Sequence, residues 1–96
     1  MTCKVYRYRF RTDVDLRDVE DTLLLSILAA DGLFGEARAR MDVAYAVDPS
    51  IHTIIVDAST DVGQAVSAVF TAFVLREFGR HAVDVRRVQG VGEGRR

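Results

Sequence analysis

The sequence predicts an α+β fold in which two strand–helix–strand units share one antiparallel sheet, and three features of its 96 residues support this prediction. A segment near the start alternates aromatic and arginine residues, which is the period of a strand with two unlike faces. Two longer segments repeat apolar residues at helical spacing and carry capping residues at both ends. Asp48-Pro49-Ser50 supplies turn chemistry between two further predicted strands.

The first predicted strand runs from Cys3 to Thr12. Successive side chains of a strand point to opposite faces, so its aromatic residues should face a core while its arginines face away from it. The alternating residues are Tyr6, Tyr8 and Phe10 on one face and Arg7, Arg9 and Arg11 on the other.

The first predicted helix runs from about Leu16 to Ala30. Asp15 can cap its amino end, and Gly32 is placed to end it in a left-handed conformation. Its apolar residues recur at helical spacing and predict the face that packs on the sheet. These residues are Leu16, Val19, Leu23, Ile27 and Ala30.

The rest of the chain continues the alternation of strands and helices. The second helix has a broad apolar stripe, a capping Ser59 or Thr60 before it and Gly79 after it. The remaining predicted elements are a strand over Glu36–Val47, a strand over His52–Ala58, the helix over about Asp61–Phe78 and a strand over Ala82–Val88.

Two strand–helix–strand units with right-handed crossovers, joined by a hairpin, give the split β-α-β arrangement called ferredoxin-like. The expected strand order is 4-1-3-2, all neighbouring strands are antiparallel, and both helices lie on one face of the four-stranded sheet. The other face can meet water, and we call it the open sheet face. We expect one domain over residues 1–88 and a flexible tail over residues 89–96, where glycines alternate with charged residues.

The composition limits the partners of the chain. Thirteen basic and 14 acidic residues give a formal net charge of −1, which does not favour nucleic acid or an anionic membrane. Cys3 is the only cysteine, which excludes an intrachain disulfide and suits a reducing cytoplasm. No segment resembles a signal peptide or reaches the roughly 20 apolar residues of a membrane helix. We therefore expect a cytoplasmic protein with no membrane partner.

The open sheet face is predicted to collect six arginines. Asp42, Asp57 and Asp84 reduce their charge to a local excess of +3. Cross-strand ion pairs contribute only about 0.2–1 kcal/mol each, so this surface is either a solvated charge network or a homodimer interface. The alternative is recognition of phosphates on nucleic acid or another anion, without base stacking because the aromatic residues face inward. The arginines are Arg7, Arg9, Arg11, Arg38, Arg40 and Arg86.

Leu33 and Phe34 form a second candidate contact, because they lie between Gly32 and Gly35 in a predicted loop. Large apolar side chains in a loop either fold back onto the core or contact another subunit. The sequence leaves both alternatives open.

No acid, base or nucleophile stands out by spacing, so we expect no catalytic residue, no cofactor and no metal site. His52 and His81 lack nearby ligands, and helix capping explains Ser59 and Thr60. The sequence favours a non-catalytic interaction or oligomerisation module whose partner is a second copy or another protein. Sheets of this kind pair across an open face or along an edge strand, so a homodimer is our first expectation. The alternative function is an anion or nucleic-acid backbone binder.

Overall fold

The computed structural model describes residues 3–35 and 43–90 and confirms the predicted α+β fold. Its elements are β1 (Cys3–Phe10), α1 (Leu16–Phe34), β2 (Tyr45–Asp48), a 3-10 turn (Pro49–Ile51), β3 (Thr53–Asp57), α2 (Asp61–Phe78) and β4 (Val83–Gly90). The strands form one antiparallel sheet in the order β2-β3-β1-β4, which is the predicted order read from the opposite edge. The βαββαβ order is consistent with a ferredoxin-like fold.

β1 lies at the centre of the sheet and sets which residues share a face. Tyr8 is opposite Ile54 of β3, and both side chains point towards the helices and are fully buried. Arg7 is opposite Ile55 on one side and Arg86 on the other, so these three residues share the open sheet face. The predicted sidedness of the first strand is therefore confirmed.

The core lies between the sheet and the two helices. Tyr8 and Phe70 of α2 pack edge to face with ring centroids 4.7 Å apart, a preferred aromatic geometry. Phe10 and Phe78 make a similar contact at 6.4 Å. β1, β3 and both helices contribute residues to the buried cluster, and Val47 of β2 and Val83 and Val85 of β4 pack against it. The buried members are Tyr8, Phe10, Val19, Leu23, Ala30, Ile54, Val56, Val62, Val66, Phe70 and Val74.

The end of α1 differs from the prediction. The helix continues to Phe34, and Gly35, with a φ of 90°, caps it by donating its backbone N–H to the Asp31 carbonyl at 2.9 Å. Only a glycine adopts this φ at low cost. The expectation that Gly32 ends the helix and that Leu33 and Phe34 lie in a loop is therefore wrong.

Two strand boundaries also differ. The predicted second strand, Glu36–Val47, is observed as a strand only from Tyr45, and residues 36–42 lie outside the described part of the chain. β4 continues to Gly90, where a tail was expected, because it pairs with β1 as far as Cys3. Residues 91–96 of the predicted tail also lie outside the described residues.

Gly63 allows α2 to approach the end of β3 closely. A Cβ at this position would collide with the backbone carbonyl oxygen of Asp57, which cannot rotate away. The hydroxyl oxygen of Thr60 also accepts the Gly63 backbone N–H at 2.9 Å, as predicted for a helix cap. The residue is therefore required for helix–sheet packing.

The hydroxyl of Tyr8 lies in a small buried network with α2. It shares a hydrogen bond of 2.8 Å with Thr71 Oγ1, and Thr71 donates to the Ser67 carbonyl at 2.7 Å. Burial raises the pKa of the Tyr8 phenol above its ordinary value, and the phenol also donates to the Ser67 carbonyl at 3.3 Å. The neutral phenol is therefore the form that the fold stabilises.

The substitution Gly63→Ala tests the close approach of α2 to β3. We expect it to lower the free energy of unfolding by about 1–3 kcal/mol because backbone must move to accept the methyl group. The matched control is Gly32→Ala, where no atom lies within 4 Å and the helical backbone is ordinary. That variant should gain about 0.5–1 kcal/mol. Urea unfolding measures both, and equal effects would contradict the packing role of Gly63.

The substitution Tyr8→Phe tests the buried phenol. Near pH 7 we expect a loss of about 0.5–1.5 kcal/mol from the missing hydrogen bond. Because the folded pKa is raised, the phenol's contribution is complete below the unfolded pKa of about 10 and is lost as the pH rises through the folded value. The stability difference between wild type and variant should therefore shrink in alkaline urea titrations. A difference that stays constant with pH would contradict this account.

Candidate interaction surfaces

The open sheet face brings together only part of the predicted arginine set. Arg7 and Arg9 of β1 and Arg86 of β4 lie on it and are exposed. Arg11 follows the strand and pairs with Asp13 at 2.9 Å, with both side chains mostly exposed. Arg38, Arg40 and Asp42 lie outside the described residues.

The three aspartates of the open sheet face within residues 43–90 are each engaged by a local partner. Asp84 pairs with Arg86 on its own strand, with 3.0 Å between Oδ2 and Nε. Asp48 Oδ1 accepts from the backbone N–H and the hydroxyl of Ser50. Asp57 Oδ1 accepts from the backbone N–H of Ser59 at 2.8 Å. These carboxylates therefore do not reach the arginines of β1.

Arg7 and Arg9 have no ion pair within residues 3–35 and 43–90. Arg7 stands directly opposite Arg86, a like-charge pair that is unfavourable on a sheet surface. Arg9 stands between Thr53 and Asp84, but Asp84 binds Arg86. Two guanidinium groups of the central strand are thus left facing solvent.

Thr53 is fully buried although it lies on the open sheet face. Its hydroxyl donates to the Ile51 carbonyl at 2.8 Å. Thr53, Ile51, Arg7 and Arg9 line a small cavity of about 130 Å³. Arg9 is the cross-strand neighbour of Thr53, and the apolar stem of a long basic side chain commonly covers such a neighbour.

The outside of the helix layer is the second candidate surface, and it is apolar. Thr22 donates to Glu77 Oε1 at 2.6 Å, so the start of α1 lies beside the end of α2 and the helices are antiparallel. Leu25 lies one turn further along α1, and Phe73 lies one turn back along α2. We call this surface the outer helix face; it comprises Leu25, Leu28 and Ala29 of α1 and Val69, Ala72 and Phe73 of α2.

Large apolar side chains on α1 are left strongly exposed. Leu25 is 57 % exposed, Leu28 is 62 % exposed and Leu33 is 74 % exposed, and Leu24 beside them is 52 % exposed. Neither helix carries a charged residue over its middle, from Thr22 to Ala30 in α1 and from Val62 to Leu75 in α2. A helix that is apolar on all sides is normally buried on all sides. The outer helix face therefore lacks a cover in the single chain.

The structure separates the predicted pair Leu33 and Phe34. Phe34 packs against the buried core, whereas the side chain of Leu33, near the end of α1, is 74 % exposed. Phe34 therefore folds back onto the core, as one alternative expected, whereas contact of the exposed Leu33 with another subunit stays a prediction.

Leu25 and Leu28 were not predicted as surface residues. The apolar stripe predicted for α1 is the one that packs on the sheet, on the other side of the helix. The signal was present, because the segment from Thr22 to Ala30 is apolar around the full turn, wider than a single buried stripe requires.

A cavity of about 520 Å³ lies between the start of α1 and the 3-10 turn. His52 lines it in a left-handed conformation, with a φ of 52°, and its Nε2 lies 2.7 Å from the Val14 carbonyl. This hydrogen bond ties the turn to the start of the helix. His52 therefore has a structural partner.

Over the two described stretches, no group of three or more histidine, cysteine, aspartate or glutamate residues is arranged to hold a metal ion. Within the same stretches, neither helix combines the length and apolarity needed to cross a bilayer.

Comparison with known proteins gives no further guide, since no protein-family model matches the chain and no curated protein is significantly similar to it in sequence.

Proposed function

We propose that this chain is an interaction module that self-associates as a homodimer through the outer helix face. The observation that carries the proposal is the exposed, uncharged layer formed by α1 and α2, with Leu28 at 62 % exposure near its middle. Contiguous apolar patches of this kind on a small domain mark interaction sites. No catalytic residue is part of the proposal.

The charge pattern of the layer favours a second copy as the partner. In a two-fold interface the same patch meets itself, so any charge near the axis meets a like charge or loses water. The middle of the outer helix face has no charge to be repelled or desolvated. Charged residues lie only towards the ends of the helices, where Arg17, Asp21, Arg76 and Glu77 can form a polar rim.

The size of the layer is sufficient for a dimer. The helices have 19 and 18 residues, which corresponds to a length of about 27 Å each. Two such helices packed 8–10 Å apart present a footprint on the order of 500 Å² per subunit. Pairing two copies therefore buries about 1,000 Å², the lower bound for a specific interface.

The open sheet face is a poorer dimer interface than the outer helix face. Its central residues Arg7 and Arg9 would approach their own symmetry mates and lose their hydration without an acidic partner. Apolar residues such as Val88, 39 % exposed, occupy only part of this face. We therefore propose that the dimer forms through the helices and not across the open sheet face.

The proposed setting is the cytoplasm. Cys3 as the sole cysteine supports it, because a protein of this size in an oxidising compartment commonly relies on disulfides.

The substitution Leu28→Glu tests the proposed dimer. Sedimentation equilibrium of the full chain from low to high micromolar concentration should show twice the monomer mass for the wild type. The variant should dissociate at least about tenfold more readily, because it loses a buried leucine and places two carboxylates together. A wild type that stays monomeric throughout, or a variant that dimerises equally well, would contradict the proposal.

The matched control is Val88→Glu, which places the same charge on an exposed residue of the open sheet face. This variant should dimerise like the wild type. Both variants should keep the wild-type circular dichroism spectrum, since both side chains are substantially exposed. Loss of the dimer in Val88→Glu alone would move the interface to the sheet and overturn the assignment.

A further inference from the structure

We propose that Arg7 and Arg9 form a binding site for a phosphate group on the open sheet face. This site lies on the side of the sheet away from the helices and does not depend on the proposed dimer. Its ligand class is an oxyanion with at least three accepting oxygens, carried by a phosphate ester.

The first observation in support of the site is that two cations on the central strand β1, Arg7 and Arg9, have no ion pair among the described residues. On the described part of this face, Asp84 pairs with Arg86 at 3.0 Å, and Asp48 and Asp57 accept from Ser50 and Ser59. Arg7 and Arg9 have no such partner within the described residues, and Arg7 faces a third arginine across the strand. An anion bound between Arg7 and Arg9 would supply the charge partner that both guanidinium groups lack among the described residues.

The second support is the cavity that the two arginines share. It has a volume of about 130 Å³, and Thr53 and Ile51 complete its lining. Since a water molecule occupies about 30 Å³ in the liquid, the cavity has room for one small oxyanion. The fully buried Thr53 forms part of a firm floor, because its hydroxyl is held by the Ile51 carbonyl.

The chemistry of the donors favours phosphate over carboxylate. Each guanidinium presents five N–H donors in a planar fork that matches two oxygens of one anion. Arg7 and Arg9 are two residues apart on β1, about 6.6 Å along the strand. Their two guanidinium groups can therefore use more acceptor oxygens than the two of a single carboxylate. A phosphate group supplies three or four, and a monoester carries close to two negative charges near neutral pH.

The phosphate group could be carried by a small ester or by the backbone of a nucleic acid, and these sources differ in their behaviour. A nucleic acid would contact several cations and lose affinity steeply as salt rises. A small ester would occupy one cavity with a weak salt dependence. The inward orientation of Tyr6 and Tyr8 removes base stacking from the open sheet face, so a strand would be held by its phosphates alone.

Titration of the full chain with inorganic phosphate at low ionic strength tests the proposal, with arginine Nε–Hε signals followed by NMR. We expect saturable shifts at Arg7 and Arg9 and at least a tenfold loss of affinity in the double variant Arg7→Gln/Arg9→Gln. The matched control is Arg87→Gln, an exposed arginine on β4 that faces the other side of the sheet. It should bind phosphate like the wild type.

A labelled single-stranded oligonucleotide, titrated in parallel, distinguishes the sources. Binding that weakens steeply with salt and is lost in the double variant supports the site and identifies a nucleic-acid backbone. Binding of inorganic phosphate alone supports the site and identifies a small ester. Equal, non-saturating shifts at all arginines, or unchanged affinity in the double variant, would overturn the proposal whatever the oligomeric state.

Discussion

The placement of Tyr8 is the constraint on which the rest of the structure depends. Tyr8 is fully buried at the centre of the sheet, in contact with Phe70 and hydrogen-bonded to Thr71. Side chains alternate along a strand, so burying this ring also sends Arg7 and Arg9 to the opposite face. A slip of one residue would bury two arginines and expose the ring, which makes the register of β1 strongly determined. Because β1 pairs with both β3 and β4, its register also determines which residues of those two strands face the core.

This constraint gives the domain two outer surfaces of opposite character. The sheet turns charged residues outward, and its described aspartates are tied to local partners while Arg7 and Arg9 are not. The helices turn leucines outward, and their middle segments carry no charge. Both proposals follow from this division: the helix side exposes leucines, and the sheet side carries two arginines without an ion pair among the described residues. The two surfaces lie on opposite sides of one thin domain, so occupation of one leaves the other accessible.

Much of the fold could be predicted from the sequence because its local signals agree with one another. Alternation along β1, capping by Asp15 and Thr60 and the turn at Asp48 all point to the same element order, and the structure confirms that order. The end of α1 could not be predicted as well, because Gly32 and Gly35 are equally suitable caps in sequence. The helix continues to the second glycine, which allows Phe34 to pack on the core.

The candidate surfaces were harder to predict than the fold. The orientation of Arg7 and Arg9 follows from alternation, but their lack of partners depends on which arginine Asp84 binds, and spacing does not determine this. The exposure of Leu28 depends on how far α2 covers α1, which is a matter of packing between distant segments. Only the breadth of the apolar segment in α1 indicated that a surface remained uncovered.

In the proposed dimer, the outer helix face is buried against a second copy of the chain. Isotope-filtered NOE spectroscopy on a mixture of labelled and unlabelled chains tests it most directly, because it detects only contacts between subunits. For this dimer we expect intermolecular NOEs from the methyl groups of Leu25 and Leu28 to the ring of Phe73. Intermolecular NOEs confined to the open sheet face, at Val5, Ile55 or Val88, or none in a sample that sediments as a dimer, would contradict it.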